Sequence, residues 1–430
     1  MKIAVAQLIF RCRVGQLFAH MSTITPESSA NTTFQLIRND WPLQLLRTVH
    51  IAPSQGLGVI RRALFFSLFC WLPIAIWAFL QNRLLNDSTG EPLLAHFGIH
   101  VRCLVAIPLL ILAEAPASAG ISRILQQFLR TGLVPQSRLQ DFQAAIVKVS
   151  KLRDATLPWL VVLALSSAWL AGSPTDMYAH ELSWASTNGQ LGFGGWWFKY
   201  VARTVFIFLV MGWIWRLLLL TWLFLKIARL DLSLVATHPD HMGGLGFLQA
   251  IPKAFSLVTL ALAAVLASRW AHDSIYHQVS LAEFKMPLAV FVLTWSFLLL
   301  LPALVFGPSM IAFKRRALGD YRALTAMHGR LVHEKWIMPP SSSSSPPSQS
   351  FERETRRVDQ SPHPMLEAPE LGAMADVATI YQSVEHMRAL PIGKVALLGI
   401  VLPMVLPMLL VAMTQFPLKD ILMSLIKTLM

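Results

Sequence analysis

Seven stretches of this chain are almost wholly apolar, and each is close to the length of a helix that crosses a bilayer. They are Ala63–Leu80, Phe97–Pro116, Leu157–Gly172, Tyr200–Leu225, Ala254–Trp270, Met286–Phe306 and Val395–Met413. Crossing the hydrocarbon takes about 20 residues of helix, with a range of about 17–25. Six stretches meet that length, and Leu157–Gly172, with 16 residues, is the shortest. Lipid offers no partner to a backbone N–H or C=O, so such a stretch must close its own hydrogen bonds as a helix; no alternating strand pattern competes. The expected fold class is therefore all-α, a polytopic transmembrane helix bundle of about seven spans. Pro73, Pro108, Pro302, Pro308, Pro403 and Pro407 fall within or beside the spans and are expected to kink them. Charged residues make up 14% of the chain, against about 25% in soluble domains, which excludes an ordinary soluble enzyme.

The net charge of +13 is concentrated in particular loops. The segment after the second span carries Arg123, Arg130, Arg138, Lys148, Lys151 and Arg153, and the one after the sixth carries ten Lys and Arg between Lys314 and Arg388. The links after spans one, three and five hold only Arg83, Lys199 and Lys285. Positive-inside bias then puts the N-terminus in the cytoplasm and the C-terminal tail on the periplasmic side of a bacterial inner membrane. No zinc-finger spacing or RNA-binding signature occurs, so no nucleic-acid partner is expected. Cys12, Cys70 and Cys103 form no framework. Met1–His20 is broken by Arg11 and Arg13 and lacks a cleavage site; either Met1 or Met21 can be the start. The organisation read from this pattern is an N-terminal segment (1–62), a six-span body (63–313), a cytoplasmic segment (314–394) with a Pro/Ser linker over 339–365, and a last span with an amphipathic tail (395–430).

Arg216 has apolar neighbours on both sides within its span. An arginine at membrane depth costs at least about 2.5–3.5 kcal/mol unless it meets a partner or a wet cavity. Glu114 is the matching acid. Counted from Lys226 and Arg123 at about 1.5 Å per residue, the two lie at one depth, roughly 14–15 Å in, and an intramembrane pair is expected. Arg102, Arg203 and Arg269 lie a turn or two inside the opposite face; an excess of cations there suits an anion or a lipid phosphate, and snorkelling of each to the outer headgroups is the commoner outcome. His96 and His100 are four apart, and with His272 and His277 they are the candidate metal ligands, backed by Asp176, Glu181, Asp273 and Glu283. No motif requires a cofactor.

The link between spans four and five reads Thr237-His238-Pro239-Asp240-His241-Met242-Gly243-Gly244-Leu245-Gly246-Phe247-Leu248. Its first reading is a tight turn in which Asp240 caps the following segment and Gly243, Gly244 and Gly246 allow close backbone packing. His238, Asp240 and His241 also offer ligands to a divalent cation. With Met387-Arg388-Ala389-Leu390-Pro391 before the last span and Phe416-Pro417-Leu418 after it, this THPDxxGGLGFL string resembles a group of uncharacterised bacterial multi-span inner-membrane proteins. The resemblance implies a location in that membrane and carries no activity.

Three function classes follow. A channel or transporter for a small ion, an anion favoured over a cation, rests on Arg216, Glu114, the outer arginines and the prolines. A sensor or assembly scaffold would dock a cytoplasmic protein on the long basic segment. A metal-dependent membrane enzyme would use the outer histidines, although no HExxH, GxSxG or Walker pattern is present. Besides the lipid bilayer, a second copy is a candidate partner through the small-residue faces Ala263–Ala267 and Ala264–Ser268.

Overall fold

A computed structural model describes residues 41–48, 57–85, 92–172, 183–187, 190–280, 282–336 and 369–415, with isolated positions at 37, 50 and 53. Expectations for the first residues, for Asp176 and Glu181, for the Pro/Ser linker and for the C-terminal tail lie outside the described residues.

The described chain is an all-α bundle. Its helices are α1 (Trp41–Thr48), α2 (Val59–Leu80), α3 (Phe97–Arg130), α4 (Leu139–Asp154), α5 (Thr156–Gly172), α6 (Phe193–Ala228), α7 (Gly246–Ala254), α8 (Ser256–Tyr276), α9 (Lys285–Leu304), α10 (Gly307–Trp336), α11 (Pro369–Glu385) and α12 (Lys394–Gln415). The only strands among the described residues are β1 (Ser186–Thr187) and β2 (Gln190–Leu191), an antiparallel pair between α5 and α6. Five helices, α2, α3, α6, α9 and α12, are long and apolar enough to cross a membrane, and α7–α8 makes a sixth if its 44° bend lies within one span. The expected seven spans thus become five or six among the described residues, because α5, although apolar throughout, is only 17 residues long. The outer helices leave most of their apolar surface uncovered: α9 buries 22% of its apolar window and α12 28%, against 50% for the central α3. Surface of that kind is satisfied by lipid and is costly in water.

Proline sets several boundaries. The 44° bend falls at Phe255, three residues after Pro252. Beyond the last residue of α9, Pro308 stands where a new helix begins, since its missing N–H is one the first turn does not need. The stretch Tyr321–Trp336 therefore belongs to α10, a helix separate from the sixth span. Ala263 and Ala267 on α8 are buried, and Ala267 packs with Met408 and Val411 of α12, so the small-residue face is occupied within the chain.

The helices do not start and stop at one level. Arg62 is the fourth residue of α2 and bonds Glu114, which lies sixteen residues before the end of α3. Trp159, the fourth residue of α5, lies against Arg216, twelve residues before the end of α6. At about 1.5 Å per residue, α3 and α6 run roughly 24 and 18 Å past that level. Their projecting ends build a second core with α4, the 242–255 segment and the α9–α10 junction. Phe128 sits at its centre, with ring centroids at 4.9 Å from Phe247, 5.8 Å from Phe306, 6.1 Å from Phe224 and 6.3 Å from Phe142. Phe128 is fully buried, whereas Phe297 is exposed on the outer face of α9. Phe128→Ala is expected to cost about 3–5 kcal/mol. Phe297→Ala should change thermal unfolding of the purified protein little, and equal losses for the two would contradict this placement of the core.

Candidate functional site

Helix α3 is interrupted at Ala113, and Glu114 opens the stretch that continues to Arg130. Pro116 forces part of this break, because it cannot donate back to residue 112. A carboxylate in the first turn of a helix is favoured by the free N–H groups there. Just above the break, the Trp213 indole N–H donates to the Leu110 carbonyl at 3.0 Å, which ties α6 to α3 at this depth.

Two arginines meet at Glu114. Arg62 Nη1 donates to Oε2 at 2.6 Å and Nη2 to Oε1 at 3.4 Å, a bidentate pairing, while Nη1 also reaches the Leu57 carbonyl at 3.3 Å. Arg216 Nη2 donates to Oε1 at 3.2 Å. All three side chains are buried, at 4%, 1% and 6% exposure for Arg62, Glu114 and Arg216. The Arg216 guanidinium also lies over two indoles, 5.0 Å from the Trp213 ring and 5.6 Å from that of Trp159. Gly212, one turn before Arg216, makes room for the second indole: a Cβ there would stand 3.1 Å from the Trp159 ring. Arg62 Nε is buried and has no hydrogen-bond partner among the described residues.

Arg62 is not marked as a buried residue by its sequence, because it precedes the first apolar run and looks like a boundary charge. The signal was the Arg61-Arg62 doublet. Neighbours on a helix point about 100° apart, so both cannot face the same surroundings; Arg61 is exposed and Arg62 is buried. The depth count for Glu114 and Arg216 also changes meaning. Both lie far from the ends of α3 and α6, yet at the level where α2 and α5 begin.

A cavity of about 320 Å³ opens beside this cluster. Arg62, Glu114 and Arg216 line it together with Leu43 and Leu46 of α1, Phe66 of α2, Trp159 and Leu163 of α5, and Thr204, Val205, Phe208, Leu209 and Gly212 of α6. Along α6 it reaches from Arg216 to Thr204, twelve residues or about 18 Å. Helix α1 lies across the gap, with Leu43 and Leu46 packed on Leu57 and Phe66. Near its far end α6 has a π-helical stretch, Phe198–Ala202, followed by the buried Arg203. Helix α3 has its own, Val101–Ala106, which carries Arg102 with its guanidinium 5.2 Å from the Phe198 ring and 5.8 Å from that of Phe206. Such stretches often occur at functional sites. Arg269 does not share this setting; it is exposed on α8.

The four candidate metal ligands do not converge, and among the described residues no three His, Cys, Asp or Glu form a metal-binding group. His100 is committed elsewhere: its Nδ1 accepts from the Trp71 indole at 2.9 Å, and its Nε2 lies 3.0 Å from the Leu93 carbonyl. His96 stacks on His272 with ring centroids 5.1 Å apart, and His277 meets His272 edge-on at 5.4 Å. His272 Nδ1 is 3.0 Å from the Ala95 carbonyl. Stacked rings turn their faces, not their nitrogens, toward one another.

In the 237–248 loop the carboxylate is likewise spent on the protein. Asp240 Oδ1 accepts from the N–H groups of Met242 (2.7 Å) and Gly244 (3.2 Å), and Oδ2 from Gly246 (2.8 Å). His238 Nδ1 stands 2.8 Å from Oδ1. The turn needs left-handed backbone at His241, Gly243 and Gly244. Divalent-cation binding by His238, Asp240 and His241 is set aside on this geometry, since the oxygens already face three N–H donors. The loop grips the turn before the last span: the Arg388 N–H donates to the His241 carbonyl at 2.7 Å, and Met387 is buried against Gly243. Lys314 Nζ caps the end of α11, donating to the carbonyls of Glu385 (2.9 Å) and Met387 (2.6 Å).

Compared with protein families, with curated proteins and with solved structures, the chain has no match in any of the three.

Removing Glu114 strips both arginines of this partner, whereas removing one arginine leaves the other bonded to it. Glu114→Gln is expected to cost about 3–5 kcal/mol. Arg62→Gln and Arg216→Leu should each cost clearly less in the same thermal-unfolding measurement, and the reverse order would count against the cluster. At Asp240, burial alone would raise the carboxyl, but the three N–H donors and His238 outweigh it and hold it below the usual carboxylate range. Its stabilisation is then complete above the ordinary value of 3.8 and is lost as pH falls through the lower folded value. Asp240→Asn should remove that acid-dependent share of stability. Unfolding midpoints followed downward from neutral pH should fall more steeply for wild type than for the variant.

Proposed function

We propose that this protein is a transport protein for anions in the bacterial inner membrane, with its N-terminus cytoplasmic and its C-terminal tail periplasmic. One observation carries the reading: Arg62 and Arg216 are held buried around Glu114 at the wall of a cavity that runs along α6 toward Arg203. Guanidinium groups at that depth favour a negative charge over a positive one, and a low-dielectric wall strengthens the preference. Arg102 and Arg203, at the two π-helical stretches, add cations nearer the other end of the bundle. The proline-interrupted α3 supplies irregular backbone beside Glu114, at the cavity wall. The distribution of Lys and Arg among the loops supports the orientation. The sequence resemblance in the 237–248 loop supports the location.

Reconstituted proteoliposomes test this directly. Wild-type protein is expected to pass monovalent anions faster than cations of similar size. Arg216→Leu, which leaves the Arg62–Glu114 pair in place, should lose more than about tenfold of that flux, as removal of one charge-paired contact usually does. Cation selectivity, or anion flux unchanged in a folded Arg216→Leu protein, would refute the proposal.

A further inference from the structure

A hydrated inorganic ion is a poor match for most of the cavity wall. Leu43, Leu46, Phe66, Val205, Phe208 and Leu209 offer it no hydrogen bond, and a buried charge without partners is costly. Polar character is concentrated at one end, where Arg62 and Arg216 flank Glu114. Two guanidinium groups against one carboxylate leave that end of the cavity wall with a net positive charge. An anionic headgroup there meets charge-assisted donors. The lining follows α6 for the roughly 18 Å between Arg216 and Thr204, a length that one extended fatty chain can follow.

We infer that the cavity is a binding site for an anionic amphiphile with one hydrocarbon chain, such as a fatty carboxylate. Its charged oxygens lie at the Arg62–Arg216 end, and its chain lies along α6 toward Thr204. This deepens the reading of the cluster as an anion site and rests on it. Helix α1 lies over the charged end, with Leu43 and Leu46 turned to the cavity, so it covers the headgroup and part of the chain. The level of the cluster suits the ligand. Glu114 and Arg216 lie where α2 and α5 begin, which is where the head of an amphiphile lies when its chain is in the apolar layer.

The test uses the full chain in nanodiscs of zwitterionic lipid and a dodecanoate carrying a photoactivatable diazirine near the end of its chain. Crosslinks are expected within residues 204–212 of α6 and in the facing part of α5. Unlabelled dodecanoate should compete, while dodecyltrimethylammonium and inorganic phosphate should not. Leu209→Trp fills the apolar part without touching the cluster, and Arg62→Gln removes one of the two cations while leaving the Arg216–Glu114 contact. Each should reduce specific crosslinking more than about tenfold in protein that still unfolds cooperatively, the size of effect typical for an anchoring contact. Competition by the cationic amphiphile, labelling spread over the lipid-facing helices, or indifference to both variants would overturn the inference. So would competition by phosphatidylglycerol but not by dodecanoate, since that ligand has two chains. Competition by inorganic phosphate would place the ligand in solution and not in the bilayer, and would also overturn it. Binding is read without flux, so the two proposals fail separately. Dodecanoate bound with no anion transport defeats the transport reading alone, and inorganic-anion flux without dodecanoate binding defeats this one alone.

Discussion

The contact on which the bundle depends is a carboxylate held by two guanidinium groups. Glu114 comes from the middle of α3, Arg62 from the first turn of α2, and Arg216 from the lower half of α6. Each alone would be unfavourable in an apolar layer, by several kcal/mol for an unpaired ion. Together they fix the relative height of three helices whose remaining contacts are mostly apolar and therefore tolerant of sliding. An apolar surface packs almost as well one turn up or down, but a bidentate arginine–carboxylate pair does not. The indoles of Trp213 and Trp159 narrow the choice further, one by bonding the Leu110 carbonyl and both by covering Arg216.

How much of this can be read from sequence depends on whether the deciding feature is local. The helical class is local: long apolar runs have one solution in lipid, and the helices appear where the runs do. Termini are less so. Val305–Phe306 separates α9 from α10 at a point where apolar composition continues unbroken, and only Pro308 marks it. Counting residues from the basic ends puts Glu114 and Arg216 at one level, and the structure has them 3.2 Å apart. The same count says nothing of Arg62, because its partner lies on another helix and its own position resembles an ordinary flank. The histidines show the opposite failure. Their spacing suggests convergence, yet the break of regular helix at His96 sends that ring onto His272 and leaves His100 to Trp71. Spacing fixes a shared face only where the helix is unbroken.

The 237–248 loop is an intermediate case. Its glycines and Asp240 announce a tight turn, and the turn is made by three backbone N–H groups converging on one carboxylate. Its partner is not local. The two sequence blocks that set this chain apart, around Asp240 and around Arg388, lie almost 150 residues apart in the chain and in contact in the fold. Neither is explained by its own neighbourhood. Each supplies what the other needs: a carbonyl at His241 for the Arg388 N–H, and a slot beside Gly243 for Met387.

The unequal reach of the helices has a mechanical meaning. From Arg203 to Ala228 α6 is unbroken, so it behaves as a rod whose one part lies beside the cavity and whose other part ends in the aromatic core around Phe128. With Arg216 as the fulcrum, a tilt of about 5° carried along roughly 18 Å moves the far end by about 1.5 Å, the scale of helix displacement that distinguishes packed states. Whatever presses on the wall at Leu209 or Gly212 is therefore felt where Phe224 meets Phe306. The bundle converts crowding in the apolar layer into leverage on the body beyond it.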